Sequence, residues 1–500
     1  MKRVALCVLV ATAIVMMSPR DLTYSAEAAD GGADPVAAAQ IRPEVVAHVE
    51  ELTVEQAEAL VDQASRPNGP WLSFDRLKTL SPEVAKKFAR HRGTISLRGL
   101  TTLSPETAEV LAQLQNELHL DGLVELSPET AEALSKHTFN SLSLNGLRTL
   151  SPEVARALAK HAGYRLNLDG VTTLSPELAE VIAGHRGMWL SLCGLTSLSP
   201  EVAEKLANHE GELDLSGLAS LSSESAAILA KHANTLFLGG MKSLPITVAE
   251  AFENHYGALY LEGLTTLSPE VAGALARHEG MYLFLNGLPT LSPETAEALA
   301  RFRGSIFLCG LTSLPPEVVV AMRDHDGDLT FWGLTDISPE GAELIVNKSG
   351  GGQLLGLNRL RSLPEEAART FAKHGGPLAL DGLTTLSPAA AEALVDQTDS
   401  ISLRGLVELS PETARALANG RRNELRLLGV TQLSDEAAEA LAGYRGWLEL
   451  DGVTTLSDEA AKSLARHDGV LTLYGLKTVS ENALGSLRRN PTIQFPERFR

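Results

Sequence analysis

One sequence unit of 23 or 24 residues recurs along most of the chain, and this repetition constrains the fold more than any other feature. A unit this short cannot bury an apolar face alone, so neighbouring units must stack into one continuous core. The repetition therefore replaces the roughly three or four domains expected for 500 residues with one array. Counted from the first Leu or Ile of each LxL pattern, eighteen units begin at residues 72, 95, 118, 142, 166, 190, 213, 236, 259, 283, 306, 329, 355, 378, 401, 425, 448 and 471.

Each unit predicts a short strand, a corner and a short helix, as in the unit at 259–282, LYLEGLTTLSPEVAGALARHEGMY. With the first Leu as position 0, positions 0 and 2 are apolar around a variable residue, which indicates a strand with one buried face. Gly occupies position 4 in 16 of 18 units, which fits a corner with positive φ or with no room for a side chain. Ser-Pro-Glu then predicts the helix start, because Ser caps it, Pro suits its first position and Glu favours the helix dipole. Gly near position 21, as in Gly187, Gly211 and Gly280, is expected to end the helix.

The pattern resembles the leucine-rich repeats, especially the short bacterial type with one strand and one brief helix per turn. The resemblance covers residues 72 to about 495. It implies an α/β solenoid, a right-handed array of parallel short strands and short helices, elongated or arc-shaped, that serves as a binding scaffold. The family pattern LxLxxNxL carries a buried Asn, whereas this chain reads LxLxGL with Gly one position earlier, so no asparagine ladder is expected.

The amino terminus has the pattern of a secretory signal peptide at residues 1–28. Lys2 and Arg3 precede a run of 14 residues, Val4 to Met17, that is apolar except for one Thr, and Ala26-Glu27-Ala28 fits a cleavage site. The run is shorter than the roughly 18 to 20 residues that span a membrane, although an uncleaved anchor is the alternative. We therefore predict an exported protein, in the secreted, periplasmic or cell-surface space, without membrane insertion after cleavage.

The remaining boundaries follow from the phase of the repeat. Residues 29–40 read as a flexible leader, 41–71 as an N-terminal helical cap of two half-units without an LxL strand, 72–491 as the 18 repeats, and 492–500 as a C-terminal cap and tail. Ile493-Gln494-Phe495 is expected to add a last partial strand. An insertion at 349–352 lengthens one interval to 26 residues and predicts either a loop or a slight bend.

Charge and cysteine content limit the classes of partner and compartment. A formal net charge of −19 opposes binding to nucleic acid phosphates, although much of it comes from Glu at position 11 in 15 of 18 units. Cys193 and Cys309 lie five units apart, or roughly 24 Å at ~4.8 Å per strand, too far for a disulfide. Free thiols without Cys-rich end caps favour a bacterial secreted or envelope protein.

Histidine recurs at one unit position, near the end of the helix. A metal site or a pH sensor is one interpretation, because stacked imidazoles can share a cation or repel when protonated. Capping of carbonyls at the helix end is the favoured one, since Leu114, Phe302 and Tyr444 replace His in other units. No metal site is expected. The eleven residues at position 19 are His91, His137, His161, His185, His209, His232, His255, His278, His325, His374 and His467.

No catalytic or cofactor motif accompanies the array. The sequence contains no GxSxG, HExxH, CxxC, Walker-type or EF-hand pattern. Acidic residues at position 3 are interpreted as turn residues or as partners of Arg98 and Arg404, with calcium binding as the alternative. The sequence therefore predicts a protein that is not an enzyme and uses no cofactor.

The candidate ligand site is a run of aromatic residues on the expected exposed strand face, at positions −1, 1 and 3. Glu262, Asn286 and Cys309 are expected to flank it. Large rigid rings surrounded by polar residues favour a site for a protein, peptide or glycan, although stacked rings can also simply stiffen a sheet. A structural envelope or surface-layer component acting by self-association is the alternative function, and an enzyme of unknown type a third. The candidate residues are Phe237, Tyr260, Tyr282, Phe284, Phe307 and Trp332.

Overall fold

Short parallel strands, at least one from each unit, carry the architecture. The computed structural model describes residues 45–46, 49–64, 72–91, 94–115, 117–349, 354–394, 400–420 and 424–499, all within the unit Glu44–Arg500. The predicted signal peptide at 1–28 and leader at 29–40 lie outside these residues. The strands are β1 Val45–Val46, β2 Leu72–Ser73, β3 Ile95–Ser96, β4 Leu118–His119, β5 Ser141–Ser143, β6 Arg165–Asn167, β7 Trp189–Ser191, β8 Glu212–Asp214, β9 Leu236–Phe237, β10 Leu259–Tyr260, β11 Tyr282–Phe284, β12 Ser305–Phe307, β13 Leu329–Thr330, β14 Leu355–Gly356, β15 Leu378–Ala379, β16 Ile401–Ser402, β17 Glu424–Arg426, β18 Trp447–Glu449, β19 Thr455–Leu456, β20 Leu471–Thr472, β21 Thr478–Val479 and β22 Ile493–Gln494.

Consecutive strands pair in parallel and in a constant register. Strands β1 to β13 form one sheet, and β14 to β18, β20 and β22 form a second, while β19 pairs with β21. Residues at the same unit position lie side by side, as Leu259 does with Leu236 and Leu283. These leucines are fully buried, so the strand leucines of successive units form one continuous core. The expected α/β solenoid of strand–helix units is confirmed.

A short helix follows each strand of the array and packs against the helices of the neighbouring units. Most have six to eight residues, so they depend on stacking for stability. The helices are α1 Val54–Ala64, α2 Pro82–Phe88, α3 Pro105–Leu111, α4 Pro128–Ser135, α5 Pro152–Leu158, α6 Pro176–Ala183, α7 Pro200–Leu206, α8 Ser223–Leu229, α9 Ile246–Ala251, α10 Pro269–Leu275, α11 Pro293–Leu299, α12 Pro316–Met322, α13 Pro339–Lys348, α14 Glu365–Phe371, α15 Pro388–Leu394, α16 Pro411–Ala418, α17 Asp435–Leu441, α18 Asp458–Leu464 and α19 Glu481–Leu487.

The helix starts have the expected caps. The side chain of Ser81 accepts a hydrogen bond from the backbone N–H of Val84 at 3.3 Å, and the same bond recurs at the other serine caps. Where Pro245, Pro315 or Pro364 takes the cap position, no side-chain cap bond forms. The Ser-Pro-Glu pattern therefore marked the helix starts correctly, since it encodes a local hydrogen bond.

The glycines at position 4 are required by close approach between units. A Cβ added at Gly217 would overlap the carbonyl oxygen of Cys193 in the preceding unit. Among the described residues, Gly375 is the glycine with positive φ, at +78°. The expectation that Gly near position 21 ends the helix is wrong, because α10 already ends at Leu275, before Gly280. A Cβ at Gly280 would overlap the ring of His278 and the carbonyl of Gly257, so this glycine makes room for the histidine.

A short strand lies at each end of the array, and only the one at the carboxyl end was predicted from the sequence. In place of a helical half-unit, Val45–Val46 forms a strand that pairs with β2, followed by the single described cap helix α1. This strand covers the backbone edge of β2, which would otherwise stay unpaired. At the other end, Ile493–Gln494 adds the expected last strand beside β20. The first sheet ends at β13 and the second begins at β14, on either side of the insertion at 349–352.

Candidate functional site

Four of the predicted aromatic side chains form one stacked row, here called the aromatic row. The strand register places Phe237, Tyr260, Phe284 and Phe307 side by side at unit position 1. The ring centroids of neighbours in this order are 4.2, 3.7 and 4.1 Å apart. Because parallel strands lie about 4.8 Å apart, identical positions bring flat rings close to stacking distance.

The rings of the row cover one another, so the row is less exposed than the sequence pattern suggested. Phe284 is only 1% exposed, and the other three rings are half-buried. Their faces lie against each other and their edges point outward. The row therefore offers a partner a narrow apolar strip, and its inner rings have no free faces on which a sugar could stack.

The two remaining predicted residues differ in their contacts. Tyr282 lies beside the row, with its ring centroid 6.5 Å from that of Phe284 and 6.3 Å from that of Phe307. Trp332 is half-buried and lies against Gly356, and within the described part of the chain its indole makes no ring contact with the row. The structure thus brings five of the six residues together.

Trp189 extends the row and was missed from the sequence. Its ring centroid lies 4.5 Å from that of Phe237, although strand β8 separates their two strands. The guanidinium of Arg165 lies over the indole of Trp189, 3.8 Å from its centroid. The signal was a large aromatic at position −1, whose side chain is long enough to reach over a unit that carries no ring.

Three carboxyl groups, here called the acidic trio, lie next to the row. Glu212 and Asp214 belong to β8, where Asp214 is the register partner of Phe237, and Glu262 follows Tyr260 on the same face. Burial raises the pKa of all three, and repulsion from Asp214 adds to the rise in Glu212 and Glu262. The pKa of Tyr260 is also raised, by burial and then by Glu212 and Glu262.

A groove of about 870 Å³ adjoins the row where loops lead into strands β11, β12 and β13. Tyr282 lines it and also touches the row, so the two features form one continuous surface, here called the binding face. Tyr256 and Met281 on its rim are 69% and 61% exposed. Arg303 also lines the groove and forms no ion pair with any residue that the structure describes.

A smaller aromatic surface lies on the second sheet and was not anticipated. Trp447 and Tyr474, at positions −1 and 3 of the last two units, are 47% and 48% exposed. Arg426 nearby bonds Glu424 at 2.8 Å and approaches Glu449 at 3.5 Å, so its charge is already satisfied.

The eleven position-19 histidines, here called the histidine ladder, are each at most 5% exposed. Neighbouring rings are nearly parallel where they stack, as in His161 and His185, whose centroids are 5.5 Å apart. The Nδ1 atoms of four of them lie 3.2 to 3.3 Å from a carbonyl oxygen at the helix end of the preceding unit, namely His209, His232, His278 and His325. The Nδ1 of His161 instead lies 3.2 Å from the Nε2 of His185. The expected helix-end contact is therefore made to the preceding unit.

Nine of the eleven ladder histidines have a pKa below the ordinary value and are therefore neutral at pH 7. Burial lowers the pKa of His161, His232 and His255 to about 4 and that of His185 to about 3. Repulsion from neighbouring histidines adds to the effect. Within the described residues, no group of three or more His, Cys, Asp or Glu side chains is placed to hold a metal ion.

Acidic and amide side chains at position 3 connect one unit to the next. Asp121 Oδ1 accepts from the Ser143 hydroxyl at 2.5 Å and from the Asn145 backbone at 3.1 Å. Asp381 bonds Ser402 and the Arg404 backbone in the same way. The expected pairing of Arg98 is confirmed with Asp121, at 3.1 Å. These side chains form an inter-unit ladder of their own, which the sequence interpretation as turn residues did not reveal.

The two position-3 cysteines are free thiols, as predicted. Burial raises the pKa of both, that of Cys309 to about 11, so their thiolates are scarce at neutral pH.

No helix within the described ranges is both long enough and apolar enough to span a membrane.

Comparison with known proteins gives similarity of architecture only. No family model and no curated protein matches the chain. Solved structures that resemble it include a leucine-rich-repeat protein of Leptospira interrogans (22% identity, TM-score 0.41, 84% of this chain and 98% of that one). A second is Drosophila Toll in complex with Spatzle, at 16% identity and a TM-score of 0.35, covering 82% of this chain and 54% of that one. A third is TLR13 in complex with ssRNA13, at 15% identity and a TM-score of 0.37, covering 86% of this chain and 67% of that one.

This chain thus spans about half the length of the Toll chain. Because all three TM-scores are below 0.5, the fold assignment rests on the geometry described above. Repeated strand–helix units with parallel strands are the leucine-rich-repeat architecture that the sequence resembles.

Proposed function

We propose that this protein is a non-catalytic scaffold that binds another protein through the binding face. The observation that carries the proposal is the gathering of exposed apolar side chains at the groove. Tyr256 and Met281 expose 69% and 61% of their surfaces beside Tyr282 and the aromatic row. Contiguous exposed apolar surface of this kind is costly in water and marks interaction sites. Tyr, Met and Arg, all present here, are enriched in protein interfaces.

The same geometry favours a protein or peptide over the other ligand classes. A glycan would need open ring faces, and the inner rings of the row are stacked on one another. A nucleic acid would place phosphates near the acidic trio, against the charge of the surface and of the whole chain at −19. We therefore retain the protein as the proposed partner and exclude nucleic acid from the proposal.

The test uses exposed residues, because the buried rings of the row also hold the fold. The double variant Tyr256→Ser with Met281→Ser is expected to reduce capture of the native partner from the producing cells at least tenfold. Each removed side chain is expected to act as an interface anchor worth about 1 kcal/mol or more. Capture is measured by affinity purification and quantitative mass spectrometry, and thermal unfolding is expected to change little.

The matched control changes two exposed apolar residues elsewhere. Val124 and Val320 are 58% and 61% exposed, and Val320 lies on helix α12. The double variant Val124→Ser with Val320→Ser is expected to capture the same partner as the unmodified protein. Equal capture by both double variants would contradict the site. If the captured protein is a second copy of this chain, the partner is the chain itself and the self-association alternative holds.

We also propose that the protein is exported, on the pattern of residues 1–28. The expected result is a protein outside the cytoplasm whose first residue follows Ala28. N-terminal sequencing of the protein from fractionated cells and medium measures this. An intact amino terminus in the cytoplasmic fraction would show the proposal to be wrong.

A further inference from the structure

The extended aromatic row already holds one cation, supplied by the chain itself. Arg165 lies over the indole of Trp189 at 3.8 Å. Burial raises the pKa of Glu212 and the charge of Arg165 offsets part of that rise, while the hydrogen bond with His119 and then the charge of Arg165 lower the pKa of Glu117. A guanidinium on an aromatic face with carboxylates beside it is a favourable arrangement, because both the ring and the carboxylates attract it. At this end of the row the carboxylates therefore already have a positive charge of the chain beside them.

The same combination of groups recurs further along the row without a cation. Asp214 lies beside Phe237 in the neighbouring strand, and Glu262 follows Tyr260 by two residues on the same face. Asp214 accepts from the Ser216 backbone at 3.0 Å, and Glu262 accepts from the Asn286 amide at 2.7 Å. In the part of the chain that the structure describes, neither carboxyl forms an ion pair. A half-buried carboxyl and an exposed one, both beside half-buried rings, thus have neutral partners only.

Leaving these carboxyls without a counter-charge is unfavourable in the free protein. Asp214 is half-buried, which removes water from its carboxylate, and the charge of Asp214 repels the exposed carboxylate of Glu262. The raised pKa of Glu262 and Asp214 has these causes, burial first. A bound cation would remove the penalty, so the surface is complementary to a positively charged group that the chain does not itself provide.

We propose that the partner presents a basic, extended segment to the binding face, with a Lys or Arg side chain between Asp214 and Glu262 and against the edges of Phe237 and Tyr260. This inference rests on the proposed function and names the chemistry of its partner. An extended segment suits the length of the surface. From β8 to β12 the strands span roughly 19 Å at ~4.8 Å each, which about six residues of extended chain cover.

The experiment uses two blocked, fluorescein-labelled hexapeptides, one alternating Lys and Trp and one alternating Glu and Trp. Binding to the full chain is measured by fluorescence anisotropy at about 0.15 M salt, where the Debye length is about 8 Å. The basic peptide is expected to bind at least tenfold more tightly. The isosteric triple variant Glu212→Gln, Asp214→Asn, Glu262→Gln is expected to lose this preference, and the single Glu262→Gln to lose part of it.

A charge-matched control separates a local site from the attraction of an acidic chain. Glu343, Glu392 and Glu439 are exposed on helices α13, α15 and α17. Changing all three to Gln removes the same formal charge and is expected to leave the preference for the basic peptide intact. An equal loss in the control variant, or a preference that survives in the triple variant, would overturn the inference.

The two proposals can fail separately. If both peptides bind equally and binding depends on Tyr256 and Met281, the scaffold proposal stands and the basic segment is wrong. If neither peptide binds while the Tyr256→Ser, Met281→Ser variant still loses the native partner, the scaffold proposal again stands and the basic segment is again wrong. If the basic peptide binds at the acidic trio but the Tyr256→Ser, Met281→Ser variant captures the native partner as well as the unmodified protein does, the groove assignment fails and the cation site stands.

Discussion

Lowering the pH from 7 to about 4 is expected to unfold the repeat array, because the histidine ladder must then accept protons in a buried environment. The eleven histidines are at most 5% exposed. Charged imidazoles at stacking distance repel one another and lack water to solvate them. Unfolding midpoints in urea, measured by circular dichroism at pH 7, 5.5 and 4.5, are expected to fall steeply with pH.

The direction follows from proton linkage. The pKa of His161, His232 and His255 falls from 6.5 to about 4 in the folded chain, so the unfolded chain binds more protons between these values. Stability is therefore fully present above pH 6.5 and is lost as the pH falls towards 4. Each of these histidines accounts for roughly 3 kcal/mol when the loss is complete. The acidic trio has raised pKa values and acts in the opposite direction, but it contains three groups, whereas nine ladder histidines have lowered pKa values.

A phenyl ring at one ladder position provides the control. Phe302 occupies position 19 in its own unit and stacks on His278 with centroids 5.9 Å apart, so the site accepts this ring. The variant His255→Phe is expected to be close to the unmodified protein at pH 7 and more stable than it at pH 4.5. An unfolding midpoint independent of pH between 7 and 4.5, or an unchanged pH slope in the variant, would contradict the role of the ladder.

Gly217→Ala is expected to destabilise the array by about 3 kcal/mol or more, the upper range for overpacking a close contact. The added Cβ would overlap the carbonyl oxygen and carbon of Cys193, which are backbone atoms of the preceding unit and cannot rotate away. The units stack on one another, so a local separation breaks the coupling between both halves of the sheet. Urea unfolding at pH 7 measures the loss.

Gly273→Ala is the matched control for this substitution. Gly273 lies inside helix α10, where an added Cβ meets no atom within 4 Å. Because Ala favours a helix over Gly, the variant is expected to be more stable by about 0.5 to 1 kcal/mol. The same chemical change thus has opposite signs at the two sites. A Gly217→Ala protein as stable as the Gly273→Ala protein would show that the corner glycines do not set the spacing between units.

The strands and helix starts could be predicted from the sequence because their signals are local. Alternating apolar residues specify a buried strand face. Ser-Pro-Glu specifies a helix cap, because the Ser side chain accepts a hydrogen bond from the backbone N–H three residues later. Each of the eighteen predicted units has its strand at the expected Leu or Ile. The glycine corner was left open between positive φ and close approach. Only the distance to the preceding unit decides between them, as at Gly217.

The candidate site was only partly predictable, since its properties arise between units. Equal unit positions indicated that Phe237, Tyr260, Phe284 and Phe307 would be neighbours. Their mutual covering, which leaves Phe284 1% exposed, depends on how the rings turn against one another. The groove is lined by loops of successive units, so the sequence of a single unit does not contain all of its lining residues.

The sequence by itself determined the repeat, its phase, the parallel solenoid and the free thiols, because a short unit repeated this often can bury its apolar residues only by stacking. The tertiary structure alone decided which side chains meet across units. It placed Trp189 across β8 onto Phe237 and brought four of the ladder histidines to carbonyls of the preceding helix end. Among the described residues it also left Asp214 and Glu262 beside the row without an ion pair. These contacts depend on side-chain reach and burial over distances that a linear pattern does not encode.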